Sequence, residues 1–127
     1  VTGTARIAAC ACGQLRAKCR GEPQLVSLCH CLDCQRRTGS AFGLAAFYRR
    51  DGVGIEGRAG TCTRRGDSGH ALCFHFCPEC GSTVFWEPER RPGDIAVAVG
   101  AFADPAFPPP GKSVFEHRRH PWVRGPE

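Results

Sequence analysis

Apolar residues along this chain recur in short bursts, and few windows hold a helical period over three turns. Runs of four to eight residues rich in β-branched and aromatic side chains, bounded by turn residues, are the signal of strands. Such runs fall at Ala5–Ala9, Gln14–Cys19, Gln24–Leu28, Ala41–Tyr48, Gly52–Glu56, Ala71–Phe76, Thr83–Glu87, Ile95–Val99 and Val114–Arg118. Turn chemistry separates them at Asp51-Gly52, Arg65-Gly66-Asp67, Pro92-Gly93-Asp94 and Pro108-Pro109-Pro110. The pattern predicts an all-β domain. One short helix is expected from Leu32 to Thr38, directly after a group of cysteines, and an extended surface loop from Asp104 to Gly111.

The length of 127 residues predicts one domain over residues 1–127. A domain of that size buries roughly two-thirds of its unfolded surface, so its core is real but modest. No apolar run approaches 18 residues, so no membrane span is expected. The opening VTGTARIAA lacks an apolar stretch of signal-peptide length, which predicts a cytoplasmic protein.

Ten cysteines change the picture. Thiols are kept reduced in the cytosol, and these cluster at spacings of two and three, which suits ligands converging on one ion. Cys10-Ala11-Cys12-Gly13 and Cys77-Pro78-Glu79-Cys80-Gly81 each read as a zinc knuckle. Each is a tight turn that faces two sulfurs toward one ion, with a glycine to permit positive φ. Together they supply the four thiolates of a closed structural zinc site. Binding energy of about 10–16 kcal/mol from such a site rivals the stability of a whole domain.

Cys29-His30-Cys31-Leu32-Asp33-Cys34 brings three more sulfurs within six residues. Three protein ligands are the arrangement of catalytic zinc, which keeps a position for water or substrate. The alternative, a second closed site, needs a fourth ligand such as His30, His70, His75 or Cys62. Cys19, Cys62 and Cys73 lie outside both clusters and read as small buried hydrophobes. His70 and His75 read as satisfied structural histidines, Trp86 and Trp122 as core or rim residues, and His117, His120 and Trp122 as candidates to line a cleft.

Charge needs correcting once metal is admitted. The formal net charge is +5. Seven thiolates subtract seven and two Zn²⁺ restore four, leaving +2. The basic residues are scattered in short pairs, Arg36–Arg37 and Arg64–Arg65 among them. Both points argue against a nucleic-acid-binding role.

The motifs CACGQLR, CHCLDCQRRTGSAF, the strand from Gly69 into FCPECGS, IAVAVGAFADP and RRHPW occur in that order from Cys10 to Trp122. In this set the chain resembles the glutathione-dependent formaldehyde-activating enzyme family, which also includes centromere protein V. The resemblance implies a β-tent-like zinc fold of short antiparallel sheets. It implies zinc on Cys10, Cys12, Cys77 and Cys80 and a second zinc on Cys29, Cys31 and Cys34, two per chain. It also implies a carbon–sulfur lyase whose reverse reaction adds glutathione to formaldehyde, giving S-hydroxymethylglutathione. Cys29, Cys31 and Cys34 would then carry the catalytic metal, and Arg36 and Arg37 would offset its negative charge or grip a glutathione carboxylate. A free thiol is only about 3% thiolate at neutral pH, so deprotonation by zinc is worth about thirty-fold. Two positions depart from the family pattern: Gln35 stands where an arginine is common, and Phe74 where a basic residue often precedes the aromatic–cysteine pair. The competing reading is a non-catalytic interaction module in which both zincs are structural. A sulfoxide reductase would need a late nucleophilic cysteine, and none follows Cys80.

Overall fold

The computed structural model describes residues 5–66 and 68–126. Asp67, part of the expected Arg65-Gly66-Asp67 turn, lies outside the described residues. The strands are β1 (Ala5–Ala9), β2 (Arg16–Arg20), β3 (Leu25–Cys29), β4 (Gly43–Arg49), β5 (Val53–Glu56), β6 (Gly60–Arg65), β7 (Ala71–Phe76), β8 (Thr83–Pro88), β9 (Asp94–Ala98) and β10 (Lys112–Val114). Helix α1 spans Leu32–Thr38, as the pattern predicts. Three short 3-10 turns complete the order.

Two sheets result. A three-stranded sheet runs β1-β2-β5 and a seven-stranded sheet runs β10-β3-β4-β9-β8-β7-β6. Every paired strand is antiparallel except β10, which lies parallel to β3. The expected mostly-β architecture of antiparallel sheets is therefore present.

Alternation along the strands gives the large sheet two apolar faces. One face packs against the small sheet, where Ala46, Tyr48, Phe85, Ile95 and Val97 meet Ala8, Ala17 and Cys19. On the other face Phe74, Trp86 and Ala96 are buried with Ala45, Phe47, Leu72 and Ala98 against them. The second cluster is a row across the ladder: Phe47 opposes Ala96, Ala96 opposes Trp86, and Trp86 opposes Phe74. This second face is the floor of the site described below.

Most strand ends shift by one or two residues from the sequence pattern, and three differences bear on the sites. β6 was not expected, because its residues Thr61, Cys62, Thr63, Arg64 and Arg65 carry almost no apolar signal. It is an edge strand, and edges are where a polar strand is tolerated. β2 begins at Arg16 rather than Gln14, since Gln14 and Leu15 close the first knuckle. The last strand ends at Val114, because Phe115 takes a left-handed φ of 56° and Glu116–Arg118 coil into a 3-10 turn.

Candidate metal centres

The knuckles sit at matching places. Cys10 and Cys12 occupy the turn from β1 to β2, and Cys77 and Cys80 the turn from β7 to β8. Gly13 and Gly81 take φ of 84° and 83°, the left-handed conformation that each turn was expected to need. The Ala11 N–H donates to the Ser82 hydroxyl at 3.1 Å and so ties one turn to the other. All four ligand sulfurs lie within 4.8 Å of one another. The Cys10–Cys12 and Cys12–Cys77 sulfur separations are 3.6 and 3.7 Å. Four sulfurs at 2.3 Å from one zinc form a tetrahedron with edges of about 3.8 Å, so this donor set fits the ion with little movement.

Donors already point at these sulfurs. The Leu15 N–H donates to Cys10 at 3.3 Å, the Glu79 N–H to Cys77 at 3.3 Å and the Gln14 side-chain amide to Cys77 at 3.0 Å. Hydrogen bonds from the Ser82 hydroxyl and backbone hold the Cys80 thiol down at about 5. Cys10 and Cys77 are buried, while Cys12 and Cys80 stand at the surface. None of these four cysteines lines the cavity described next.

The second cluster is built differently. Cys29 ends β3, Cys31 is the N-cap of α1, and Cys34 lies in its first turn. The Cys31 sulfur accepts the Cys34 N–H at 3.3 Å, doing the work of a capping oxygen. These three sulfurs also lie within 4.8 Å of one another. Opposite Cys29 in the ladder is Gly43, at the start of β4. A Cβ there would lie 3.1 Å from the Cys34 Cβ and 3.0 Å from an Arg37 nitrogen, so the cluster is cradled where only glycine leaves room.

Among the described residues, no fourth His, Cys, Asp or Glu joins this group. Each candidate for that role is occupied or elsewhere. His30 is fully buried, with Nε2 3.0 Å from the Ser113 hydroxyl and 3.5 Å from Glu116. His70 lies 3.7 Å from Glu89. His75 hydrogen-bonds Glu87 at 2.7 Å, on the side of β7 turned away from the second face. Cys62 is exposed on β6.

The three sulfurs border a cavity of about 200 Å³, floored by Ala45, Phe47, Leu72 and Trp86 and edged by Phe115. Arg37 and Arg64 both line it. The Arg37 guanidinium stands 4.4 Å over Trp86 and 5.4 Å from the Phe74 ring. Arg64 stands 4.6 Å over the same Phe74 and 3.3 Å from Asp33. The position where the family pattern often has a basic residue thus carries a ring with two guanidiniums on it. Among the described residues, Nε of Arg37 and Nη2 of Arg64 are buried without a hydrogen-bond acceptor, while Nη1 of Arg64 faces the Asp33 carboxylate. Hydrogen bonds from the Cys29 and Cys31 thiols, with Arg37 nearby, draw the Cys34 thiol down to about 3. The same sharing pushes Cys29 up.

Several expected roles fall differently. Arg36 is exposed and borders no part of this cavity, whereas Arg37 does. Arg64 was passed over as half of a surface pair. Its signal was visible in β6, where alternation puts it on the face of Leu72 and Phe74 once the strand is recognised. His117, His120 and Trp122 do not line the cavity, and Trp122 is 70% exposed. His120 instead hydrogen-bonds the Gln35 carbonyl oxygen at 3.0 Å, and the Gln35 amide donates to the backbone oxygens of His30 and Arg118. Gln35 thereby pins the C-terminal segment over α1. Cys19 is buried as expected, but Cys62 is exposed and Cys73 only half-buried.

The family model for the glutathione-dependent formaldehyde-activating enzyme matches residues 5–118. The chain belongs to that family. The match takes in both cysteine clusters, Arg37 and Arg64. A search of curated proteins gives no match. Among solved structures, a crystal structure of a Rhodobacter sphaeroides protein is similar in fold. Its TM-score is 0.54 at 20% identity, over 75% of this chain and 85% of that one. Family membership supports chemistry related to glutathione and formaldehyde, and the donor sets support zinc as the metal. Among the described residues, no helix is long and apolar enough to cross a membrane.

Proposed function

We propose that this protein is a zinc-dependent carbon–sulfur lyase of small thiol adducts, with glutathione, formaldehyde and S-hydroxymethylglutathione as its reactants. The reading is carried by one observation: three converging sulfurs, with no fourth ligand among the described residues, border a cavity that also holds two guanidiniums with N–H groups unpartnered among those residues. Zinc held by Cys29, Cys31 and Cys34 would supply a soft Lewis-acidic centre that keeps a substrate thiol deprotonated. A second zinc, on Cys10, Cys12, Cys77 and Cys80, would be structural, giving two per chain.

The chain's own residues do the rest. Arg37 and Arg64 bind a carboxylate of the peptide thiol, using Nε of Arg37 and Nη2 of Arg64, which have no acceptor among the described residues. Phe74 and Trp86 hold both guanidiniums flat, which orients the N–H groups. Phe47, Leu72 and Trp86 keep water off the reacting sulfur. At about 200 Å³ the cavity is smaller than the roughly 300–1,000 Å³ usual for whole small ligands, so it receives the thiol end of the tripeptide. In the direction of addition a sulfur–carbon bond forms at formaldehyde, and the proton released from the thiol ends on the former carbonyl oxygen. Cleavage runs the same steps in reverse. Reactants of this kind fit the cytoplasmic setting in which thiols stay reduced.

The test is exchange between formaldehyde and its glutathione adduct at equilibrium, followed by NMR magnetisation transfer. Wild-type protein should accelerate exchange above the buffer rate, and Cys34→Ser should return it to that rate with the fold intact. Equal exchange with and without protein would overturn the lyase reading and favour the interaction module.

A further inference from the structure

On the other face of β7, away from the cavity, lies a third group of ligand-type side chains. Cys73 and His75 are two residues apart and so project to one side of the strand. Glu87 on β8 is directly opposite Cys73 in the ladder. Their ligand atoms lie within 4.8 Å of one another. The Cys73 sulfur is 3.8 Å from His75 Nε2, and that nitrogen is 2.7 Å from a Glu87 oxygen.

We propose that Cys73, His75 and Glu87 form a third metal site, distinct from both cysteine clusters, which takes a borderline divalent ion such as zinc and leaves one coordination position open.

Two simpler roles compete, and the geometry separates them. In a thiol–imidazole–carboxylate relay, the thiol and the carboxylate engage opposite ring nitrogens. Here both face the same Nε2, so no proton can be relayed through the ring. A histidine satisfied by one carboxylate accounts for Glu87 but not for the sulfur held on the same side. Convergence of a sulfur, a nitrogen and an oxygen on one point is what a metal ion requires.

The distances bear this out. Zinc about 2.0–2.3 Å from each ligand needs ligand atoms roughly 3.3–3.7 Å apart. The sulfur–nitrogen pair must close by only about 0.1–0.2 Å, and the nitrogen–oxygen pair must open by about half an ångström. The surroundings orient the ligands. The His75 ring is stacked on Phe85, with centroids 4.3 Å apart and planes 11° from parallel. Arg50 hydrogen-bonds the other Glu87 oxygen, leaving the first turned to His75. A ligating carboxylate held by a hydrogen bond on its far oxygen is a common feature of metal sites. His75 and Glu87 side chains are 18% and 33% exposed, enough for an ion to enter.

The experiment uses reduced wild-type protein with its cysteine clusters loaded with zinc and unbound metal removed. Alkylation of Cys73 and of exposed Cys62 is followed by mass spectrometry with and without added zinc. Added zinc should slow alkylation of Cys73 at least tenfold and leave Cys62 unchanged. His75→Asn and Glu87→Gln should each cut that protection to under twofold. Cys73 reacting equally fast with and without zinc would overturn the site, as would protection that survives both substitutions or extends equally to Cys62. Should Cys73 prove too shielded to alkylate, cobalt titration of the same protein decides. Wild type should take up one more cobalt than His75→Asn, with thiolate-to-metal absorption, and equal uptake would overturn the proposal.

Discussion

The two cysteine clusters use one ligand type to opposite ends. At the knuckles, four sulfurs come from two tight turns and lie within 4.8 Å of one another, with two separations of 3.6 and 3.7 Å close to a tetrahedron's edge. At the second cluster, three sulfurs come from a strand end and a helix start, and the fourth side opens on a cavity. Around the knuckles the donors are backbone N–H groups, the Gln14 amide and a serine hydroxyl, all turned toward sulfur. Around the open cluster the cations are arginines turned partly toward empty space. The comparison teaches that the two donor sets differ in their surroundings as well as in ligand count. On the proposed reading, the reactive site is marked by arginine N–H groups that have no acceptor among the described residues.

The largest expected effect breaks the comparison most directly. Cys77→Ser should remove the closed zinc and with it stability on the order of 10 kcal/mol, comparable to the whole domain's. Circular dichroism should show an unfolded or aggregated chain. Cys34→Ser should leave a folded protein that has lost one equivalent of metal by elemental analysis. Equal unfolding in both would erase the distinction between the sites.

Cys19 offers a thiol that binds nothing. It is fully buried, and burial pushes it up to about 12 from an ordinary value near 9. Burial likewise lifts Tyr48, its neighbour, from 10 to about 12. A neutral acid whose folded pKa is raised contributes stability that is intact below the unfolded pKa and lost as pH climbs toward the folded one. Thermal stability should therefore fall between about pH 9 and 12, by up to roughly 1.4 kcal/mol per pH unit for each group titrating. Cys19→Ala should flatten that limb. An unchanged slope would mean that Cys19 ionises freely and that burial alone does not separate it from the cluster thiols.

Gly43→Ala should act on the open cluster only. The added methyl meets Cys34 and Arg37 at 3.0–3.1 Å, so overpacking of about 1–3 kcal/mol is expected. It should appear as weaker metal retention by Cys29, Cys31 and Cys34 in a chelator competition, with the knuckle metal unaffected. Arg37→Ala with Arg64→Ala should weaken glutathione binding by about 1–3 kcal/mol, roughly five- to 150-fold in Kd. A small neutral thiol should bind almost as before.

Much of this was legible in the chain. Cysteine spacing identifies both clusters, helped at the knuckles by the glycines that follow, because local turns dictate where those sulfurs go. Helix α1 is legible from its capping cysteine to Gly39, which closes it at φ 69°. What stayed hidden depends on partners distant in sequence. β6 has no apolar alternation and exists because β7 offers it an edge, so Arg64 could not be placed at the cavity. Arg36 and Arg37 are adjacent in sequence, and only the stacking of Arg37 over Phe74 and Trp86 separates the half-buried one from the exposed one. The Cys73–His75–Glu87 group needs the β7–β8 register before its third member can be seen.

The central claim is that the second cluster is an open centre that receives a thiol while arginines hold its carboxylate. Calorimetric titration of the zinc-loaded protein with glutathione and with S-methylglutathione tests it most directly. Glutathione should bind, and the blocked thioether, which keeps both carboxylates but has no ionisable thiol, should bind at least tenfold more weakly. Equal affinity for the two, or no heat from millimolar glutathione, would contradict the account.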